Sequence, residues 1–129
     1  MYNVLIVDDH EDVRAVVRAT LEGGPYEFFE AANAADAVDQ ARIARPHLVV
    51  LDVNMPGDLD GFDACAAIKQ DPATRNARVL MLTARGQQLD LHRGRLSGCD
   101  AYLIKPFSPD HLARTAALLV EPRRLPQLR

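Results

Sequence analysis

Tryptophan is absent from the 129 residues, aromatic residues of every kind make up only 5%, and there are just two cysteines. Cys65 and Cys99 fall in different segments without a CxxC spacing, and no further cysteine or close histidine pair joins them. That excludes a disulfide scaffold and a structural zinc site, so both are read as free, packed thiols. No apolar run approaches the roughly 20 residues of a membrane span, and Met1 leads straight into a strand-like segment instead of a signal sequence. The expected compartment is the cytoplasm, with no membrane partner. Excess positive charge is missing as well. The 15 basic and 18 acidic residues leave −3, which argues against a surface built to grip nucleic acid phosphates. Lysine is scarcest among the charged types: all the basic residues are arginine except Lys69 and Lys105.

Apolar residues reach 48% and charged ones 26%, the balance of one ordinary globular domain. Short apolar runs predict five strands at Val4–Val7, Phe28–Ala31, Leu48–Leu51, Val79–Leu82 and Ala101–Ile104. Three of them are unbroken four-residue runs, as expected for strands covered by helices on both faces. Between them, apolar residues recur at helical spacing. Val13, Val16, Val17, Thr20 and Leu21 define the first helix, Ala34–Ala44 the second and Gly61–Lys69 the third. The fourth is read over Gly86–Leu96, anchored by Leu89 and Leu96, and the fifth begins at Ser108-Pro109-Asp110. A hydroxyl at the N-cap followed by proline at the first helical position is a strong helix start. Strands and helices in alternation predict a doubly wound parallel α/β sheet with right-handed crossovers. Residues 1–121 are expected to form the domain, with 122–129 a C-terminal tail or linker stub.

In open sheets of this kind, functional groups gather outside the carboxyl ends of the strands. Asp8 and Asp9 follow the first strand, Asp52 ends the third, Thr83 the fourth and Lys105 the fifth. Three carboxylates in one crevice repel by about 4 kcal/mol per pair at ~4 Å with an effective dielectric near 20, so the cluster calls for a cation. Oxygen donors with room left for water and phosphate oxygens suit Mg²⁺ (or Mn²⁺). Beside a metal and a lysine, Asp52 is a competent nucleophile toward phosphorus. Thr83 offers a hydroxyl to a phosphate oxygen, and Lys105, leaving a buried strand ahead of Pro106-Phe107, offers a compact charge. Lys69, on a polar helix face, has no such setting.

These residues, in this order, resemble the receiver domain of two-component response regulators, the CheY-like superfamily. The resemblance rests on Asp8-Asp9, Asp52 with Met55-Pro56 and Asp60-Gly61, Thr83-Ala84, and Lys105-Pro106-Phe107. It implies a flavodoxin-like fold with strand order 2-1-3-4-5. It also implies a phosphorylation-controlled switch rather than an enzyme acting on an external substrate, with Asp52 as phosphoacceptor from the phosphohistidine of a sensor kinase or phosphotransfer protein. Asp9, Asp52 and the backbone carbonyl of Asn54 would hold Mg²⁺, Asp8 would act through water, and Lys105 would contact the phosphate. Thr83 and Tyr102 would be the switch residues, changing the face of the fourth helix, fifth strand and fifth helix for an output partner or a second copy of the chain. Two features depart from the commonest pattern. The loop Gly57-Asp58-Leu59-Asp60 is one residue longer than usual, with Leu59 expected as its apolar anchor. The fourth-helix region carries Arg85, Gln87, Gln88, His92, Arg93 and Arg95, read either as a recognition surface or as a solvated face.

Rival readings fare worse. A haloacid dehalogenase-type phosphatase commonly has a second aspartate two residues after its nucleophile, where Asn54 stands and cannot transfer a proton. A dinucleotide-binding module needs a glycine-rich turn after the first strand, where Asp8-Asp9-His10-Glu11 stands. A non-phosphorylated interaction domain would not need the full set of acidic, threonine and lysine residues. No helix-turn-helix or basic stripe follows residue 120, so no nucleic acid contact is expected within this chain. It acts alone on a partner, or Arg123-Arg124-Leu125-Pro126 begins a linker to an output domain.

Overall fold

Each predicted apolar run falls within a strand of the computed structural model, which describes residues 1–84 and 91–121. The strands are β1 (Tyr2–Val7), β2 (Tyr26–Ala31), β3 (Leu48–Asp52), β4 (Arg78–Ala84) and β5 (Ala101–Lys105). They alternate with α1 (Glu11–Leu21), α2 (Ala34–Ala44), α3 (Gly61–Gln70), α4 (Leu91–Ser97) and α5 (Pro109–Val120). All paired strands are parallel, in the order β2-β1-β3-β4-β5. The expected first residues of the fourth helix, and with them Arg85, Gln87, Gln88 and Leu89, lie outside the described residues, as do residues 122–129.

The unbroken apolar runs feed two cores because side chains alternate across the sheet. Leu5, Val7, Val49, Leu51, Val79 and Met81 face the helices α2 and α3. Val4, Ile6, Leu48, Val50, Leu80 and Leu82 pack with Val17 and Leu21 of α1 and with Leu112, Ala116 and Val120 of α5. Each such buried Leu, Ile or Met contributes about 2 kcal/mol over exposure. Ala34, Ala37, Ala41 and Ala44 are the buried residues of α2, and their small side chains let that helix approach the sheet closely.

Helix ends follow local chemistry. Asn33 caps α2 by accepting from the Asp36 amide, and Ser108 caps α5 by accepting from the His111 amide. Asp60 and Asp63 form a reciprocal capping box on α3.

Four expectations need correction. Leu96 was expected to anchor the fourth helix but is 71% exposed, and Ile43 and Val16 also point outward. A helix packed on a sheet buries only the stripe that faces it, so an apolar residue at helical spacing but off that stripe stays exposed. Leu59 does not anchor the long loop; it is exposed, and Met55 packs against the core instead. Lys69 is not a solvated charge. Its ammonium donates to the Ala77 carbonyl at 2.8 Å and to Asp100 at 2.9 Å, while Asp100 also accepts from the Val79 amide at 2.7 Å. Finally, β4 extends beyond Thr83 to Ala84.

Gly61 carries a testable consequence. A Cβ there would collide with the backbone carbonyl of Asp52. Gly61→Ala is expected to cost about 2–3 kcal/mol in urea unfolding, more than helix propensity would return, because backbone on both sides must shift.

Candidate functional site

The parallel register brings the polar strand ends together. Val7 pairs with Leu51, so Asp8 and Asp52, one residue further on, leave neighbouring strands side by side. Asp52 pairs with Leu82, Thr83 with Ile104, and Ala84 with Lys105, so the lip climbs by about one residue per strand toward β5. Asp8, Asp52 and Thr83 are all buried.

Lys105 joins the two buried carboxylates. Its ammonium donates to Asp8 Oδ2 at 3.0 Å and to Asp52 Oδ1 at 3.3 Å. The following Lys105–Pro106 peptide is cis. Burial pushes the Asp52 carboxyl above its ordinary range and the Asp8 charge adds to this, while Lys105 and the Asn54 amide oppose it. For Lys105, burial disfavours the ammonium, yet the two carboxylates outweigh it and hold its pKa above the usual lysine value.

Asp8 Oδ1 accepts the His10 amide at 2.9 Å and lies 3.2 Å from the His10 ring nitrogen, which is also 3.2 Å from Asp9 Oδ1. Arg14 fixes the backbone behind this cluster, donating to the Asp8 carbonyl at 2.7 Å and to Glu30 at 2.7 Å. Asn54, on the exposed lip, donates its backbone amide to Asp52 Oδ1 at 3.4 Å.

Among the described residues, Asp8, Asp9 and His10 are the group close enough together to hold a metal ion with side chains alone. Asp52, beside Asp8 on the neighbouring strand, is held by Lys105. Carboxylate oxygens at the mouth, an open lip at Asn54 and no sulfur donor fit a hard divalent cation of the Mg²⁺ kind. When bound, such a cation neutralises charge developing on transferring phosphoryl oxygens.

Tyr102 is half-buried against the α3 side of the sheet, and its hydroxyl fills the space beside Gly94 of α4 that a Cβ would need. Burial, then a hydrogen bond with Cys99, pushes the Tyr102 phenol well up. Burial likewise lifts the Cys65 thiol to about 11, which keeps it protonated and inert. Both cysteines are free.

Comparison with known proteins decides the family. Residues 4–117 match the family described as response regulator receiver domain. The chain belongs to that family. Among relatives of this receiver domain, Response regulator Rre1 of Synechocystis is 40% identical over 111 residues, 85% of this chain and 48% of that protein. The DNA-binding dual master transcriptional regulator RpaA of the same organism is 38% identical, over 98% of this chain and 53% of that protein. The chain thus spans about half the length of these curated relatives. A putative response regulator from Chloroflexus aurantiacus superposes with a TM-score of 0.84 at 34% identity, covering 92% of this chain and 97% of that one. Chemotaxis protein CheY4 of Vibrio cholerae superposes at 0.83 with 32% identity, covering 92% and 98%. As a receiver domain, the chain is a phosphorylation switch of two-component signalling, the general function of its family. Among the described residues no helix is long and apolar enough to cross a membrane.

The sequence reading brought Asp8, Asp9, Asp52, Thr83 and Lys105 to one crevice; in the structure Lys105 joins Asp8 and Asp52, Asp9 meets the His10 ring that Asp8 also contacts, and Thr83 is buried near the end of β4 beside β5. It missed His10 and Arg14. The triple Asp8-Asp9-His10 was visible as three consecutive ligand-type residues; Arg14 gave no signal, since its role depends on how α1 lies across β2.

Proposed function

We propose that Asp52 is the phosphoacceptor, receiving the phosphoryl group of a phosphohistidine carried by a sensor kinase or phosphotransfer protein. The observation that carries this reading is the lysine held between two buried carboxylates at adjacent strand ends. An Asp52 carboxylate oxygen attacks phosphorus as the P–N bond breaks and the imidazole departs. Lys105 then turns from carboxylate partner to phosphate partner, and Asp9, Asp52 and the Asn54 carbonyl are the proposed Mg²⁺ holders, with Asp8 acting through water. The Thr83 hydroxyl supplies a further donor to the phosphoryl oxygens. Thr83 and Tyr102 carry the change to the face of α4, β5 and α5, where an output protein, an output domain or a second copy of the chain reads it.

The receiver unit is taken as residues 1–121, with 122–129 as tail or linker, acting in the cytoplasm on no external substrate. A net charge of −3 over the 129 residues argues against a grip on nucleic acid phosphates. The test is incubation with Mg²⁺ and acetyl phosphate, read by intact mass and by peptide mapping. One added phosphoryl group on Asp52 is expected; no labelling, or labelling elsewhere, would sink the reading.

Asn54 is exposed two residues beyond Asp52, and its side-chain amide is proposed to orient water for hydrolysis of the acyl phosphate. Asn54→Ala keeps the backbone carbonyl and is expected to lengthen the phosphorylated lifetime roughly fivefold, the worth of about 1 kcal/mol of hydrogen bonding. Equal decay rates for the two proteins would remove Asn54 from that role.

A further inference from the structure

Arg93 of α4 reaches back to the start of α3, directly behind the proposed phosphoacceptor. Its guanidinium grips Asp60 with both terminal nitrogens, at 2.8 Å from Nη1 to Oδ2 and 3.1 Å from Nη2 to Oδ1. Nη2 also lies 3.5 Å from Asp63 Oδ1, and the guanidinium carbon sits 4.8 Å above the centre of the Phe62 ring. Planar, two-pronged contact with a carboxylate, stacked on an aromatic face, is what arginine offers and lysine does not.

The partners of this clamp are the two capping residues of α3. Between them Gly61 packs on the backbone carbonyl of Asp52. On the other side of the clamp, Gly94 follows Arg93 along α4 and packs on the Tyr102 hydroxyl. The contacts therefore run without a break from Asp52 through Gly61, the capping pair, Arg93 and Gly94 to Tyr102. In this arrangement Lys105 engages the free carboxylate of Asp52.

We propose that Arg93 is a positioning residue that holds α4 against the start of α3 while Asp52 carries no phosphoryl group, and that releasing this clamp is part of the switch. The proposal rests on phosphorylation at Asp52 and adds the element that reports it. A two-state switch responds to whatever stabilises one arrangement over the other. Removing a contact made only in the resting arrangement raises the population of the activated one, and so raises apparent affinity for a phosphoryl mimic. Arg93 is 43% exposed and Asp60 29%, so the effect is modest.

The full chain is titrated with beryllofluoride in the presence of Mg²⁺, following amide shifts of residues 92–97 and the Tyr102 ring by NMR. Arg93→Ala is expected to bind about threefold tighter than wild type, in line with a partly exposed pair. Its mimic-free spectrum should lie part-way toward the saturated wild-type spectrum. Asp60→Asn keeps an N-cap acceptor for α3 and provides the second variant, with the same direction expected. Arg93→Lys should remain close to Arg93→Ala, because a single ammonium cannot reproduce the fork. Unchanged free-state shifts and affinity in both clamp-breaking variants, or weaker binding, would overturn the proposal while the wild type still responds. A wild type that does not respond at all would overturn phosphorylation at Asp52 itself, and the clamp with it.

Discussion

Asp52→Asn is expected to abolish phosphoryl labelling completely and to raise stability at neutral pH by about 1 kcal/mol, the usual sign when a functional group is held in a costly place. The loss of labelling follows from chemistry, since a carboxamide is no nucleophile toward phosphorus. The gain follows from the position of the carboxylate, 5% exposed at the strand end with Asp8 beside it. Its pKa in the folded chain lies above the ordinary carboxylate value, so the folded state holds the proton more tightly than the unfolded state. Stability associated with this group is therefore fully present below the unfolded value, near pH 4, and is lost as pH rises through the folded value. Asparagine does not ionise and escapes that loss. Urea titrations of both proteins at neutral pH and near pH 3 check the claim. The stability advantage of the variant should appear at neutral pH and shrink in acid; a variant less stable at neutral pH would contradict it.

Lys105→Met is expected to be the most damaging of the site substitutions to stability, by about 3 kcal/mol at neutral pH, because it leaves two buried carboxylates without their shared counterion. The folded-state pKa of Lys105 is raised, so its contribution is fully present below the unfolded lysine value, near 10.4, and is lost only as pH rises beyond it. The deficit of the methionine variant should narrow in acid as Asp52, whose pKa is raised by burial, takes up its proton. Lys105→Arg restores the charge and should keep the fold. It should nevertheless impair switching, since a planar fork cannot follow the single-point contact from carboxylate to phosphate. Denaturation across pH measures the first effect, and the NMR response to beryllofluoride measures the second. An arginine variant with an unchanged response would refute the requirement for an ammonium.

Most of the site could be read from sequence because each polar residue stands directly after an apolar run. The buried runs of β1 and β3 stop at Asp8 and Asp52, so those two announced their own positions at the carboxyl edge; Lys105 ends β5, an edge strand whose Ile104 is exposed, not the buried strand its apolar run suggested. Leu96 and Ile43 were misread for a physical reason. Whether an apolar side chain is buried depends on what lies opposite it, and periodicity reports only the face of its own helix. Lys69 was misread in the opposite sense. Its partner Asp100 stands 31 residues away, and nothing local distinguishes a lysine with such a partner from a solvated one.

The sequence by itself determined the order of strands and helices along the chain, the helix start at Ser108, and the residue types delivered to one edge of the sheet. Those features depend on neighbours within a few positions, through side-chain alternation, capping and the end of an apolar run. Only the tertiary structure decided the pairings. Lys105 meets Asp8 across 97 residues and Arg93 meets Asp60 across 33. Both contacts depend on strand register and on how helices settle against the sheet, and these are set by packing of the whole core.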